Sequence, residues 1–369
     1  MSSKNLYFYR SISDDSLEIR NQITSHASGI HRFFRTSGPR MQKRFTELVD
    51  CKNIPKVLIH GNPHIANYSK TSRGAAMVDF DRSRIGPYSY DIVRFLVSIS
   101  FSGRQIDDDF LHPVVVDHFR RGYTYGLLNK KYEHEEMLDL REREPRKWQM
   151  SAENYLESGK KWAKKLFENT VEITSKRKKM LDSYIKSLDN ESALDSYDLT
   201  TCAEVPGSMG KLHHLYLLRD LSEKLDPVII DIKEVYEEEN DKWFSNPFNH
   251  HGIRMNKAGE VYAPGWEQLP GHASYKGEQF WCRQIPIQQV KLDFPIDTID
   301  QCDLCFSVGA QLGRGHSRGS KEVSAKEIFK DFKEMFDEYL RVAQDIHKEI
   351  KSAHEVYCAE TTLKKYGIK

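Results

Sequence analysis

The sequence has little of three features that would define its class at once: cysteine, surplus charge and long apolar runs. Six cysteines in 369 residues are too few for a disulfide framework, so reduced thiols are expected. Lys and Arg total 55 against 54 Asp and Glu, which leaves no broad positive field for nucleic acid or anionic lipid. No run approaches the roughly 20 apolar residues of a membrane span, and the first residues contain no apolar stretch of signal-peptide length. We therefore expect a cytoplasmic protein without a nucleic-acid or membrane partner.

Zinc ligands are equally scarce in the sequence. Cys302 and Cys305 form a CxxC pair, but no second pair follows at zinc-finger spacing. His213 and His214 are adjacent, as are His250 and His251, so in a strand the two members of a pair point to opposite faces and cannot share one metal. We predict structural cysteines and no metal role for these histidines.

Helical periodicity, with apolar residues three or four positions apart, dominates both ends of the chain. Pro145 marks the most favoured break within the long charged segment, because proline disfavours helix before it. The predicted helical segments are 13–50, 90–100, 105–195 and 301 onward, clearest over 326–351.

Strand patterns fall in two places. Two short apolar runs flank one polar loop early in the chain, and β-rich segments broken by Gly and Pro begin near residue 196. The segment 245–278 is rich in Gly, Pro, His and Asn and is predicted to be irregular. The predicted strands are 56–60, 75–80, 199–206, 213–220, 227–236 and 280–287. Helical and strand regions that are separated in this way predict an α+β fold.

Residues suited to chemistry concentrate in one window, which reads HGNPHIAN over 60–67 and VDFD over 78–81. Phosphoryl transfer requires metal ions held by oxygen ligands, and kinases supply an Asn from one loop and an Asp from the strand pair beyond it. Asn67 and Asp79 match this pattern. We therefore predict a nucleotide-phosphate and magnesium site with Asn67 and Asp79 as the metal ligands.

Asn62 stands where a kinase has the Asp that accepts the proton of the acceptor hydroxyl. Asp81 is the nearest spare carboxylate. The predicted catalytic residues are Asn62, Asp79 and Asp81.

Other residues of the window are expected to support the loop. We expect His60 to structure it and Asp91 to accept its backbone N–H groups. Arg94, like Arg35, is expected to pair with a carboxylate.

This window resembles the aminoglycoside phosphotransferase and choline kinase group of the protein-kinase-like fold, whose signature runs HGDxHxxN, then IDF or IDW, then a later Asp. It is more similar to one branch, an uncharacterised bacterial family of unknown function, in which GDxHxxNFG is followed by NDFDE, by GP and by WD-hydrophobic-x-R. Gly86-Pro87, Tyr90-Asp91 and Arg94 follow that pattern, and Phe34-Arg35 looks like its FxR motif. The resemblance implies a kinase-like fold with ATP and Mg²⁺ as cofactors.

The same resemblance implies that the kinase lobes are circularly permuted, with the catalytic loop before the glycine-rich loop. Residues 204–218 resemble the strand, glycine turn and strand that cover the phosphates, through Gly207, Ser208 and Gly210. Lys233 is the implied phosphate-contacting lysine. Residues 280–284 resemble the hinge strand and 304–316 the helix that normally precedes the catalytic loop.

The implied organisation has three parts: a helical large lobe with the catalytic loop (1–195), a β-rich small lobe (196–290) and C-terminal helices that complete the large lobe (291–369). In kinases a glutamate pairs with the lysine. The candidates for this glutamate are Glu237, Glu239, Glu260 and Glu267.

Three functions remain open from the sequence. The first is an ATP- and Mg²⁺-dependent phosphotransferase that acts on a small-molecule hydroxyl, with Asn62 in place of the usual Asp. The second is a pseudokinase-type nucleotide-binding regulatory protein. The third is a nucleotidyl transferase that uses the same site, and the acceptor cannot be inferred from any motif.

Overall fold

The computed structural model describes residues 6–25, 28–71, 74–103, 110–129, 150–207, 210–222, 224–237, 240–287, 289–292 and 295–365. Within these ranges the chain forms eleven helices and eleven strands. The helices are α1 (Leu17–Ile23), α2 (Gly29–Thr36), α3 (Gly38–Leu48), α4 (Ser89–Ser100), α5 (Pro113–Leu128), α6 (Ala152–Glu157), α7 (Lys161–Glu168), α8 (Ser175–Ile185), α9 (His251–Tyr262), α10 (Thr298–Arg318) and α11 (Ala325–Lys365). The strands are β1 (Lys56–Ile59), β2 (Tyr68–Thr71), β3 (Gly74–Met77), β4 (Arg84–Pro87), β5 (Thr170–Val171), β6 (Tyr197–Pro206), β7 (Leu212–Asp220), β8 (Val228–Glu234), β9 (Gln268–Tyr275), β10 (Glu278–Gln284) and β11 (Val290–Lys291).

The strands build three antiparallel sheets. The largest has the order β5-β6-β7-β8-β10-β9, and α9 lies in the chain between β8 and β9. The two smaller sheets are β1-β4 and β11-β2-β3. The mixture of a large helical part with antiparallel sheets confirms the predicted α+β class.

Both faces of the six-stranded sheet are covered by helices. Because side chains alternate along a strand, Ile230 and Ile232 of β8 face one side, where they pack with Tyr184 of α8. Ile229 faces the other side with the apolar residues of α6 and α7. Lys233 has the same parity as Ile229, so it lies on the face that α6 and α7 partly cover.

The helical part packs around α4 and a close pair of helices. All twelve residues of α4 are buried, as the apolar pattern over 90–100 predicts. Glycines allow α5 and α10 to approach each other: a Cβ at Gly126 would lie 1.9 Å from the carbonyl oxygen of Ala310. These helices form the base on which the loop after β1 rests.

One expectation from the sequence differs from the structure. The segment 245–278, expected to be irregular, contains α9 and β9. The side chain of His250 caps α9 by accepting the N–H of Gly252, and Met255 is buried against Val235 and Trp281. Capping and packing outweigh the low helix propensity of the Gly, His and Asn residues there.

The helical prediction over 105–195 can be compared only in part. Residues 110–128 and 150–194 contain α5 to α8 with the short strand β5. The expected break at Pro145 lies outside the described residues. The three-part division of the chain stays a prediction, although β5 already pairs with β6 before residue 196.

The expected placement of His213 and His214 on opposite faces of a strand agrees with the structure, whereas His250 and His251 stand at the start of α9 and not in a strand. Cys305 is fully buried in α10. His213 faces Asp231 whereas His214 packs against Phe280 on the opposite face. None of the described helices combines the length and apolar character needed to cross a membrane.

Candidate active site

The loop that follows β1 is held by Asp91, in the first turn of α4. The carboxylate of Asp91 accepts the N–H of His60 at 2.7 Å and that of Gly61 at 2.8 Å. It is completely buried and also lies 3.1 Å from Nε2 of His316. These are the backbone contacts that the sequence analysis expects of Asp91, and they fix the start of the loop.

Gly61 is required by the geometry of this loop. Its φ is +81°, in the left-handed region, and a Cβ there would lie 1.9 Å from the carbonyl oxygen of Arg82. Only glycine fits both conditions. The loop after β1 is therefore pressed directly against the turn that follows Asp81.

Asn62 is bound by a buried arginine rather than by a carboxylate. Nε of Arg94 donates to Oδ1 of Asn62 at 3.1 Å, and its guanidinium lies 3.9 Å from the ring centre of Phe34. Because arginine only donates, the oxygen of the Asn62 amide must face it. Complete burial lowers the pKa of Arg94 to about 10. The expectation that Arg94 pairs with a carboxylate is therefore wrong, since the amide takes that place.

Asn67 ends a 3₁₀ turn, Ile65–Asn67, and its main chain joins the loop to the segment after β3. Its carbonyl oxygen accepts the N–H of Val78 at 3.0 Å. Its side chain is buried, and Nδ2 has no hydrogen-bond partner among the described residues. This backbone bond brings Asn67 beside Asp79, the residue that follows Val78.

Asp79 adopts a backbone conformation that is unusual for a residue with a side chain. Its φ is +73°, and such strain concentrates at functional sites. Arg254 of α9 holds the turn that follows: it donates to the carbonyl oxygens of Asp81 at 2.9 Å and Tyr236 at 3.3 Å, and to that of Ser83. The buried guanidinium links the turn, the end of β8 and α9.

Lys233 reaches from β8 to the two aspartates of the VDFD segment. Its Nζ lies 2.6 Å from Oδ2 of Asp81 and 3.8 Å from Oδ1 of Asp79. The side chains of Lys233 and Asp81 are 12% and 14% exposed, whereas that of Asp79 is 42% exposed. Lys233 and Asp81 thus form a nearly buried ion pair, with the carboxylate of Asp79 open to the cleft.

The three charges shift each other's ionisation. Desolvation works to lower the pKa of Lys233, but the negative charges of Asp81 and Asp79 outweigh it and raise that pKa. Desolvation works to raise the pKa of Asp79, but the positive charges of Lys233 and Lys291 prevail and lower it to about 2. Burial and the negative charge of Asp79 together raise the pKa of Asp81. The two carboxylates, two residues apart, therefore differ in proton affinity.

Among the described residues, no glutamate pairs with Lys233. Glu267 binds Arg283 at 2.6 Å, and Glu260 binds Lys257 at 2.7 Å. Glu237 has no such contact with the lysine, and Glu239 lies outside the described residues. The carboxylate partner of Lys233 is Asp81, which the sequence analysis took for a spare carboxylate.

The turn between β6 and β7 contributes one of its predicted residues to the site. Gly207 lines the same cavity as Lys233, and its N–H donates to the carbonyl oxygen of Lys211 at 2.7 Å. Gly210, at φ +83°, has open space around it and is exposed. Ser208 lies outside the described residues.

A cavity of about 90 Å³ lies between the sheet and the helical part. It is lined by five cationic side chains and two carboxylates, and its other walls are mostly polar. Asn62, Asp79, Asp81, Lys233 and Gly207 are the predicted residues among its lining. The lining residues absent from the predicted site are Arg32, Arg35, Thr36, His64, Arg82, Lys211, His213 and Tyr236. One signal was available in the sequence, since Arg32 and Arg35 are three apart and share one face of a helix.

The sheet face next to this cavity is covered by α6 and α7. Tyr155 and Leu156 of α6, with Ala163 and Leu166 of α7, are buried against this face. Their partners on the sheet are Ala203, Val205, Leu215, Leu217 and Ile229. Trp162 lies 5.2 Å from the ring of His213, which binds Asp231 at 2.9 Å. The charged cavity therefore borders the apolar contact of α6 and α7 with the sheet, and this contact covers the rest of that sheet face.

A second cavity, of about 570 Å³, is larger but lies elsewhere. It lies against the opposite ends of the long strands, and its charged lining residues are Asp226 and Glu267. Glu267 is already bound by Arg283. We place the candidate site in the smaller cavity because the charged groups converge there.

The fold and the cleft together define an α+β protein in which a strand lysine and two aspartates of a turn meet at a braced loop. The chain belongs to the family described as uncharacterized protein conserved in bacteria (DUF2252), whose model matches residues 17–109 and 115–360. No curated protein and no solved structure matches the chain.

Proposed function

We propose that the protein is an ATP- and Mg²⁺-dependent phosphotransferase of the protein-kinase-like fold that acts on the hydroxyl of a small molecule. The observation that carries this proposal is the contact of Lys233 with Asp81 and Asp79 beside the His60–Asn67 loop. Kinases bring together a strand lysine, a metal-binding Asp and a catalytic-loop Asn in this way. In this chain the His60–Asn67 loop precedes Lys233, which is the reverse of the order in kinases. The proposed fold is therefore a circular permutation of the kinase fold.

The order of elements around Lys233 supports the kinase-like assignment. In kinases a glycine-rich turn precedes a lysine on the third strand, and a helix follows that strand. Here β6, β7 and β8 form an antiparallel meander with Lys233 on its third strand, and α9 follows. Arg254 of α9 contacts the turn after Asp79, so this helix is coupled to the site without a glutamate.

The residues present fit Mg²⁺ rather than a metal with an all-protein cage. The described residues contain no group of three His, Cys, Asp or Glu side chains arranged for a metal, and Mg²⁺ is usually held by one or two carboxylates plus phosphates and water. Asp79 supplies a carboxylate that stays ionised at neutral pH, and Asn67 supplies a buried side chain whose amide oxygen would be the ligand. When bound there, Mg²⁺ neutralises charge on the phosphates.

Lys233 is the described group that would hold the phosphates, because the N–H groups of Gly207 and Gly210 already donate to carbonyl oxygens within the β6–β7 turn. In the transfer step the oxygen of the acceptor hydroxyl forms a bond to the γ-phosphorus. The bond from that phosphorus to the β,γ-bridging oxygen breaks, and its electron pair leaves with ADP. In this way the chain contributes position and charge, which dominate this reaction.

The proton of the acceptor hydroxyl passes to Asp81 in this proposal, since the Asn62 amide is not basic. Oδ2 of Asp81 binds Lys233, but Oδ1 is buried with no hydrogen-bond partner among the described residues. Burial and the charge of Asp79 raise the pKa of Asp81, which makes it a better base than an ordinary aspartate. Asn62, held by Arg94, orients the acceptor.

Asp79→Asn tests the proposal through ATP turnover. The substitution keeps the shape of the side chain and removes the negative charge, so Mg²⁺-dependent turnover should fall at least a hundredfold. The matched control is Asp303→Asn, which removes one carboxylate in α10, outside the cavity. Unchanged turnover in Asp79→Asn would overturn the proposal.

A second candidate is a pseudokinase-type regulatory protein that binds nucleotide without transfer. Two observations favour it: Asn62 has no acidic group, and α6 and α7 cover the part of the sheet face next to Lys233. This candidate predicts that a non-hydrolysable ATP analogue with Mg²⁺ raises the melting temperature while no phosphorylated product forms. Nucleotidyl transfer, the third possibility from the sequence, would be distinguished by mass spectrometry, because the product would carry the AMP group instead of a phosphoryl group.

A further inference from the structure

Two arginines of α2 project into the candidate site from its helical side. The apolar residues Ile30, Phe33 and Phe34 of this helix are buried in the main core, which fixes its orientation. Arg32 and Arg35, one turn apart, consequently line the cavity together with Asn62. They lie across from Lys233, which enters the cavity from the sheet.

Neither arginine forms an ion pair with a residue that the structure describes. Among the described residues, Arg32 and Arg35 have no ion pair and no side-chain hydrogen bond, and Nε of Arg32 is buried without a partner. Burial and the nearby charge of Arg32 lower the pKa of Arg35, and the negative charge of Asp79 offsets this only in part. Two partly buried like charges this close destabilise a folded chain unless an anion lies between or beside them.

The net charge of the cavity lining also favours an anionic ligand. Among the lining residues that the structure describes, five cations face two carboxylates, an excess of three positive charges. Asp79 and Asp81 are already engaged with Lys233. The positive charge of Arg32 and Arg35 is therefore available to a ligand.

We propose that Arg32 and Arg35 form an oxyanion subsite and that the acceptor alcohol carries a phosphate or carboxylate group bound there. Guanidinium groups bind such oxyanions through paired N–H donors, and two on one helix face can grip a single group. The subsite itself stands on the contacts of α2, whereas its assignment to the acceptor rests on the proposed phosphotransferase function. The position beside Asn62 places the neighbouring hydroxyl of such an acceptor at the braced loop.

Titration of the full chain with inorganic phosphate, and separately with acetate, tests the subsite by calorimetry. The test variant is Arg32→Gln with Arg35→Gln, and the matched control is Lys43→Gln with Lys52→Gln, which removes two exposed charges outside the cavity. We expect the Kd for phosphate to rise at least tenfold in the arginine variant and to stay within twofold of the wild type in the control. If the arginine variant also loses affinity for acetate, the subsite binds oxyanions in general. If the wild type does not bind acetate, the subsite is specific for phosphate groups. Equal phosphate binding by the arginine variant and the wild type would overturn the subsite.

A parallel measurement separates this inference from the proposed function. A non-hydrolysable ATP analogue with Mg²⁺ should bind the arginine variant within threefold of the wild type, because Lys233 and Asp79 are unchanged. If the arginine variant loses phosphate binding while the wild type binds no nucleotide at all, the result would support the subsite and contradict the phosphotransferase proposal. If turnover occurs and neutral alcohols are phosphorylated with a kcat/KM equal to that of anionic ones, the acceptor assignment is wrong.

Discussion

Nζ of Lys233 lies 2.6 Å from Oδ2 of Asp81, although 152 residues separate them in the chain. This ion pair joins the six-stranded sheet to the turn after β3. It also gives the lysine a carboxylate partner from the VDFD segment itself. In the proposed phosphotransferase site, Asp81 would provide the contact that a helix glutamate provides in kinases.

Asp81→Asn should destabilise the protein more than Asp79→Asn. Removing one partner of a buried ion pair leaves an uncompensated charge, which costs about 3 kcal/mol. Asp79 is more exposed and lies farther from Lys233, so solvent screens its charge and its replacement should cost less than that of Asp81. Urea unfolding of both variants measures the difference. Equal losses would mean that Asp81 is not the principal partner of the lysine.

Stability should fall with acid from near neutral pH, because several histidines are buried in the neutral form. Desolvation lowers the pKa of His31 and of His64 well below the usual histidine value of 6.5 and also lowers that of His60. The unfolded chain takes up protons near pH 6.5 while the folded chain does not, so stability falls as the pH drops below about 6.5, at up to about 1.4 kcal/mol per pH unit for each histidine.

Urea unfolding between pH 7.5 and 5 measures how the free energy of unfolding changes with pH. His64→Asn should reduce this slope by the contribution of one buried histidine. The carboxylate of Asp79 acts in a separate window: its stabilising effect is complete above its unfolded pKa of about 4 and is lost as the pH falls through about 2. A flat profile from pH 7.5 to 5 would contradict the assignment of neutral buried histidines.

Gly61→Ala should damage the site through backbone geometry. A Cβ there meets the carbonyl oxygen of Arg82 at 1.9 Å, and the φ of +81° disfavours any side chain. Gly159→Ala is the matched control, because Gly159 also has a positive φ of +62° but open space around it. We expect a loss of about 1 kcal/mol for Gly159→Ala from φ alone and a loss at least about 2 kcal/mol larger for Gly61→Ala. Equal losses in the free energy of unfolding for the two variants, measured with urea, would show that a Cβ at Gly61 meets no steric obstacle.

Loosening α7 should strengthen nucleotide binding if the nucleoside lies along the sheet face beside Lys233. Leu166 of α7 is buried against that face, so Leu166→Ala weakens the cover by about 2–4 kcal/mol. A larger population of the open form raises the apparent affinity in proportion, and we expect at least a fivefold lower Kd for a non-hydrolysable ATP analogue with Mg²⁺. Leu181→Ala is the control, since Leu181 packs on the opposite face of the sheet. An unchanged Kd in Leu166→Ala would place the nucleoside elsewhere.

Parts of this arrangement were readable from the sequence because they depend on short-range patterns. The apolar run over 90–100 predicts a buried helix, and the spacing of His60, Asn67 and Asp79 predicts a loop next to a strand pair. Asp91 and its backbone contacts also follow from the motif. The roles of Asn67 and Asp79 as metal ligands remain predictions.

Other features depend on contacts between distant segments. The pairing of Lys233 with Asp81 and the bond from Arg94 to Asn62 require knowledge of which side chains meet across the fold. Helix α9 was missed because its Gly, His and Asn residues have low helix propensity and its packing is tertiary. The periodicity of α6 and α7 predicts helices, but it does not say which face of the sheet they cover.

The most direct test of the phosphotransferase proposal is mass spectrometry of a bacterial metabolite extract incubated with the protein, ATP and Mg²⁺. The account predicts that at least one hydroxyl compound gains a phosphoryl group with the wild type, and that this product is absent with Asp79→Asn. Nucleotide binding by the wild type without any phosphorylated compound would contradict the account and favour a nucleotide-binding regulatory protein.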